Sequence, residues 1–166
     1  MKPRVYIDNS VISYLTAKVG RDAVAVARQI VTIEWWAKAF EHYELVVSDF
    51  VHEEARGGNP EAAQRRLEAI KGLPNVDIDD VEIENLAKAL TDRKALPETA
   101  RFDALHIAAA ACNGVEYLIT WNYKHLANPV QLDFVERVCA DAGYQAPRIV
   151  TPDQLTLYDE GDSDVG

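Results

Sequence analysis

Apolar and polar residues along this chain fall into blocks whose period switches between two and three-to-four, the signature of short strands alternating with helices. Val5 to Ile7 is a β-branched and aromatic run that stops at Asp8 and reads as a strand. Asn9 or Ser10 caps a helix that begins at Val11. Asp22 caps a longer one, in which Val24, Ala27, Val31, Trp35 and Ala39 predict one apolar face against a sheet. Glu44 to Ser48 reads as a second strand and Asp49 to Ala55 as a short helix. Asn59 caps a further helix with Pro60 at its first position, running to Lys71. Beyond Leu73-Pro74, Val76 to Ile78 predicts a third strand. Asp79 or Asp80 caps a helix from Val81 to Lys94, and Pro97 opens one that runs through Cys112 and ends at Asn113-Gly114. The interior of that helix, Ala104 to Ala111, is small and apolar on nearly every side, which predicts burial. Val115 to Thr120 is a fourth strand, Gln131 to Ala142 the last helix, and Arg148 to Val150 a fifth strand. This order predicts an α/β fold with a mainly parallel five-stranded sheet.

Composition narrows the picture. A chain of 166 residues, 48% hydrophobic and 27% charged, is one folded domain rather than a disordered segment. Acids outnumber bases by 27 to 17, a net charge of −10, which excludes a protein held on nucleic acid by bulk charge. Any nucleic-acid binding has to come from a local basic patch, metal ions or a partner. The two cysteines, Cys112 and Cys139, have no CxxC spacing, which excludes a disulfide scaffold or a zinc knuckle and predicts a reducing, cytoplasmic setting. No stretch has the length of a signal peptide's apolar core or of a membrane span, so no membrane association is expected. Residues 1–152 are read as the domain and 153–166 as an acidic tail, expected to be disordered.

Several familiar α/β sites are missing from the sequence. There is no GxGxxG, no GxxxxGK[ST] and no GxSxG, so no dinucleotide cradle, triphosphate loop or serine nucleophile elbow. What remains is a set of acids at strand ends and on helices: Asp8 after the first strand, Glu54 on the helix after the second, Asp103 in the small-residue helix, and the amide Asn122 two residues past Thr120. Carboxyl ends of parallel strands are where such sheets gather their ligands. Three carboxylates and an amide form an all-oxygen set, suited to hard divalent cations such as Mg²⁺ or Mn²⁺. Without a cation they repel one another, and burial makes the repulsion worse.

Taken together, Val5-Tyr6-Ile7-Asp8-Asn9-Ser10, Ser48 to Glu54, Arg101 to Ala110 and Leu118-Ile119-Thr120-Trp121-Asn122 resemble a PIN domain, and within it the VapC-like toxins of type II toxin–antitoxin systems. The resemblance covers about Pro3 to Pro152. It implies a three-layer α/β/α sandwich and a Mg²⁺- or Mn²⁺-dependent endoribonuclease, with RNA as substrate, an antitoxin protein that blocks the site, and a homodimer. Position by position, it implies that Asp8, Glu54 and Asp103 are metal ligands, that Asn122 stands where a fourth acid is common, and that Ser10 steadies Asp8. Three carboxylates do not balance two divalent ions, which predicts one well-held metal and a second that binds weakly or with the substrate phosphate. Water attacking phosphorus in line would leave 5′-phosphate and 3′-hydroxyl ends.

Each position also has a structural reading. Asp8 can be a helix cap, Glu54 beside Glu53 a solvated face, and Asn122 a turn residue. His106 is read as a packed core histidine. Trp35 and Trp121 are read as packing residues, and Trp36, off the apolar stripe, as facing a partner. Arg56, Arg65 and Arg66, with Lys71, follow Glu54, and Arg101 enters the Asp103 helix; together with Lys124 and His125 these are the candidates for contacting RNA backbone. Two alternatives to the nuclease stand open: a non-catalytic PIN-like module that binds RNA or protein, and a metal-dependent phosphohydrolase acting on small nucleotides.

Overall fold

The computed structural model describes residues 1–126 and 128–155. Among them four strands and seven helices alternate: β1 (Arg4–Ile7), α1 (Asn9–Thr16), α2 (Ala23–His42), β2 (Glu44–Val46), α3 (Asp49–Ala55), α4 (Pro60–Ile70), α5 (Val81–Asp92), α6 (Arg101–Cys112), β3 (Tyr117–Ile119), α7 (Pro129–Asp141) and β4 (Arg148–Val150). The strands form one parallel sheet in the order β2-β1-β3-β4. Tyr6 of β1 lies opposite Val46 on one side and Leu118 on the other, and Leu118 lies opposite Ile149. Parallel strands joined by helical crossovers are covered on both faces, so their residues read as unbroken apolar runs. Val5, Tyr6, Ile7, Leu118 and Ile119 are fully buried accordingly. The architecture is α/β, helices layered on a parallel sheet.

Local signals set most helix boundaries. Asp22, Asn59 and Asp80 accept hydrogen bonds from Ala25 N (2.8 Å), Ala62 N (3.0 Å) and Glu82 N (2.9 Å), each satisfying a free amide of a first turn. Gly114 ends α6 with a left-handed φ of 65°, and Val115 N closes the end on Ala110 O at 2.9 Å.

Three expectations are corrected. The strand at Val76 to Ile78 is absent: a single parallel bridge joins Val47 to Asn75, so the sheet has four strands, not five. Val47 N donates to Pro74 O and Val76 N to Val47 O, but Pro74 brings no N–H of its own. Asp77 then takes Asp79 N on its own carboxylate at 2.9 Å, which turns the chain away before a second rung forms. On α2 the predicted stripe holds at Val31, Trp35 and Ala39, but its first part does not face the core. Gln29, Thr32, Trp35 and Ala39 face inward, while Val24 is 58% exposed and Ala27 is exposed as well. Two of the inward residues are polar and satisfied: Gln29 Nε2 donates to Ala17 O, and Thr32 Oγ1 accepts from Trp121 Nε1 at 2.8 Å. Finally, α6 starts at Arg101, because Pro97 to Ala100 is a turn closed by Ala100 N on Pro97 O.

The packed body continues past residue 152. Leu155 is buried, and its carbonyl accepts from Trp35 Nε1 at 3.1 Å. The acidic stretch after Tyr158, expected to be disordered, lies outside the described residues. No helix among the described residues is long and apolar enough to cross a membrane.

Arg66 binds α4 to the end of α3, its guanidinium donating to Ala55 O at 3.1 and 3.2 Å and to Gly57 O at 2.6 Å. Arg66→Ala is expected to lower stability by about 1–2 kcal/mol. The check is a lower urea midpoint at unchanged m-value; an unmoved midpoint would refute the strut.

Candidate metal centre

All four strands run into an oxygen-bearing residue at their carboxyl ends. Asp8 follows β1 directly, Thr120 follows β3, Thr151 follows β4, and Ser48 stands two residues past β2; all four are buried. Strand order reverses at β1, with β2 on one side and β3 on the other, which opens a crevice between the ends of β1 and β3. Asp8 and Thr120 stand in that crevice.

Asp8 is the N-cap of α1, the place that the strand's end had offered to Asn9 or Ser10. Three donors converge on its Oδ2: Ser10 N at 3.2 Å, Ser10 Oγ at 2.5 Å and Thr120 Oγ1 at 2.9 Å. The two hydroxyls are themselves held by Trp121 N on Ser10 Oγ (2.9 Å) and Asn122 N on Thr120 Oγ1 (3.0 Å). Ser10 thus steadies Asp8 as expected. The other oxygen, Oδ1, faces His106 Nε2 at 3.7 Å.

His106 is the residue that reading the sequence undervalued. Its ring is fully buried, as a packed histidine should be, yet both nitrogens belong to the site. Nε2 lies 2.9 Å from Glu54 Oε1, and Nδ1 lies 2.7 Å from the Tyr6 hydroxyl, which lies 2.6 Å from Ser48 Oγ. Asp8, Glu54 and His106 offer ligand atoms that all lie within 4.8 Å of one another. Burial alone would lower the His106 pKa, but the Glu54 hydrogen bond and the carboxylates of Asp8, Glu54 and Asp103 outweigh it and raise the value. Burial likewise raises the Tyr6 phenol well above its usual range, so it serves as a neutral hydroxyl. The clue available in the sequence was spacing: three residues after Asp103, on the same helix face.

Asp103 lies outside that compact trio and belongs to a second group beside it. Its Oδ2 accepts from Asn122 Nδ2 at 3.2 Å and lies 3.1 Å from His125 Nδ1, while Asn122 Oδ1 accepts His125 N at 3.1 Å. Burial first, and then the Asp8 carboxylate, push the Asp103 pKa up to about 6 against the opposing pull of the two histidines. The two groups are joined through Thr120, which donates to Asp8 and accepts from the amide of Asn122. The loop carrying Asn122 and His125 is pinned by Arg28, whose guanidinium lies 5.6 Å from the Trp121 ring and 5.1 Å from the Tyr123 ring.

The basic candidates divide. Arg66 is committed to the end of α3, and Arg65 Nε donates to Thr16 O at 3.0 Å. Arg101 is exposed, 4.0 Å from Glu84. Arg56 and Lys71, with His52, line a groove of about 590 Å³ between α3 and α4. Lys124 is exposed beside His125. No model of a known protein family and no curated protein matches the chain.

An acid whose pKa is raised on folding binds its proton more tightly in the native state, so ionising it costs stability. For Asp103 the loss begins as pH rises through the ordinary aspartate value of 3.8 and is complete above about 6. In the metal-free protein, Asp103→Asn is therefore expected to be stabilising by about 2 kcal/mol at pH 8 and close to neutral at pH 4. Urea denaturation in EDTA at the two pH values measures it, and an equal effect at both would contradict the assignment.

Proposed function

We propose that this protein is a Mg²⁺- or Mn²⁺-dependent endoribonuclease of PIN type, the VapC-like toxin of a toxin–antitoxin pair, with an α/β/α sandwich as its frame. The single observation that carries the reading is the crevice beside β1, where Asp8 and Glu54 face one another around His106 with the Asp103–Asn122 pair adjoining. Residues from four distant segments share one buried, acid-rich edge. Asp8 fits the role of ligand: its Oδ2 is saturated by donors while Oδ1 points at Glu54's histidine partner. Glu54, with its side chain 29% exposed, opens the cluster to solvent.

Asp8, Glu54 and Asp103 would hold the ion, Asn122 offering an amide oxygen. A bound divalent ion supplies water activation at neutral pH and neutralises charge developing on the phosphodiester oxygens. The chain's own part is to fix the carboxylates: Ser10 and Thr120 lock Asp8, His106 orients Glu54 before the ion enters, and Asn122 with His125 orients Asp103. RNA backbone would approach along the α3/α4 groove, past Arg56 and Lys71, and across Lys124 and His125. Arg66 and Arg65 would act on RNA less directly, since their guanidinium groups serve the fold.

Asp8→Asn and Asp103→Asn are each expected to reduce metal-dependent RNA cleavage by at least about 10³-fold, with folding retained by circular dichroism. Products of the wild type should carry 5′-phosphate ends. Full cleavage by both variants would defeat the proposal. RNA binding without cleavage at any divalent-ion concentration would point to the binding module, and hydrolysis of a small phosphodiester but not of RNA to the phosphohydrolase.

The proposal includes a cognate antitoxin and a homodimer. For the second copy, α2 supplies the surface. Ala23, Val26, Ile30, Ile33, Ala37 and Phe40 repeat at alternating steps of three and four, and Ile30, Ile33 and Phe40 are about half exposed. Two such helices crossing antiparallel bring Ala23 opposite Phe40, Val26 opposite Ala37 and Ile30 opposite Ile33. Each alanine then faces a larger residue, whereas a parallel pairing sets Phe40 against Phe40. Ile33→Glu is expected to convert a dimer to monomer in sedimentation velocity; a monomeric wild type at about 100 μM would remove this interface.

A further inference from the structure

The resemblance implies an oxygen-only ion site, but the compact trio contains a nitrogen. His106 Nε2 lies 2.9 Å from Glu54 Oε1 and 3.7 Å from Asp8 Oδ1, deeper in the crevice than either carboxylate, with no exposed surface of its own. The ring cannot swing away. Phe102 stacks on it with centroids 6.2 Å apart, Tyr6 tilts against it at 5.5 Å, and the Tyr6 hydroxyl occupies Nδ1. Bonds of about 2.1 Å span roughly 4.2 Å across an ion, so a trio within 4.8 Å closes on one cation with small side-chain shifts.

Building on the reading of Asp8 and Glu54 as ion-holding residues, we infer that His106 Nε2 is a third ligand of the same ion, and that the Tyr6–Ser48 hydroxyl pair is its positioning partner. Ligation by Nε2 would replace its hydrogen bond to Glu54 and release the Nε2 proton to solvent, leaving the ring proton on Nδ1, donated to the Tyr6 oxygen, while Tyr6 donates to Ser48 Oγ. Every ring nitrogen and the Tyr6 hydroxyl are then used, and the tautomer is fixed by an outer hydrogen bond in the manner common to metal-bound imidazoles. One nitrogen with two carboxylates disfavours Mg²⁺, which prefers oxygen ligands, and favours a first-row transition ion. The metal this site selects is accordingly Mn²⁺ or a later divalent ion rather than Mg²⁺.

Pulsed EPR of the Mn²⁺-loaded full-length protein, without RNA, tests this directly. A nitrogen coupling to the bound ion is expected in the wild type and in His125→Gln, and is expected to vanish in His106→Gln. By calorimetry, the Mn²⁺-over-Mg²⁺ affinity ratio should fall at least tenfold in His106→Gln. Tyr6→Phe should keep the nitrogen coupling and weaken Mn²⁺ binding by about 10–100-fold. Mn²⁺ bound without nitrogen coupling in the wild type overturns this inference and leaves the carboxylate site standing. Absence of any divalent-ion binding overturns both. Because the wild-type spectrum decides the ligand on its own, a variant that fails to fold does not remove the test.

Discussion

Crowding of negative charge at one edge of a closed sheet is the constraint to which the rest of this structure answers. Two carboxylates about 4 Å apart repel by about 4 kcal/mol at an effective dielectric near 20, several times the net value of an ordinary hydrogen bond. The fold meets that repulsion residue by residue. Asp8 gathers three donors on one oxygen, and Glu54 is joined to a buried imidazole. Asp103 shares its burden with Asn122 and His125 and still titrates near 6. Burial first, and then the Asp8 carboxylate, hold the Asp103 pKa above the ordinary aspartate value, so its donors offset the cost of its position only in part. A divalent cation is the compensation that the arrangement lacks, and that is the physical ground for reading the crevice as an ion site.

Which parts of this were legible in the sequence follows from what each part depends on. Asp8 and Asn122 could be placed because a strand's carboxyl end is a local property, visible where a β-branched run stops. Glu54 rested on a helical register, and in the structure it is Glu54 that reaches His106. The helix caps at Asp22, Asn59 and Asp80 were equally local. His106 was not legible as a site residue. A histidine flanked by alanines looks like core, and it is core; its second identity depends on Tyr6 and Glu54, both more than fifty positions away or on another element. The fifth strand failed for a similar reason. Val76 to Ile78 has strand composition, but Pro74 and the Asp77 side chain decide its backbone hydrogen bonds. On α2 the hydrophobicity count placed Val31, Trp35 and Ala39 against the core but failed at Val24 and Ala27, because Gln29 and Thr32 are buried through hydrogen bonds rather than through apolar surface.

Position in the fold also explains why hydroxyl residues matter here as much as acids. Ser10, Ser48 and Thr120 sit where backbone amides or a phenol need a partner and where a carboxylate or imidazole needs to be held still. Thr120 is the joint between the two groups: its single oxygen donates to Asp8 and accepts the amide of Asn122. A shift of the loop after β3 is therefore transmitted to the first carboxylate. Arg28, on α2, lies over the Trp121 and Tyr123 rings of that loop and over Tyr14 of α1, a cation–π contact made by a helix that contributes none of the four carboxylate or amide candidates.

Charge constrains any approach of a polyanion to the crevice. The chain carries −10 overall, and two of the arginines nearest the crevice in sequence are engaged with backbone carbonyls. Few basic groups remain to draw a polyanion toward a negative edge. If the chain acts on RNA as proposed, attraction has to be local, from exposed groups such as Arg56, Lys71 and Lys124 and from whatever positive charge the crevice itself acquires. If an ion neutralises Asp8 and Glu54, the same ion turns a surface that repels phosphate into one that accepts it. On the proposed function, ion binding and RNA binding would then be two parts of one equilibrium, and a protein this acidic could still act on nucleic acid.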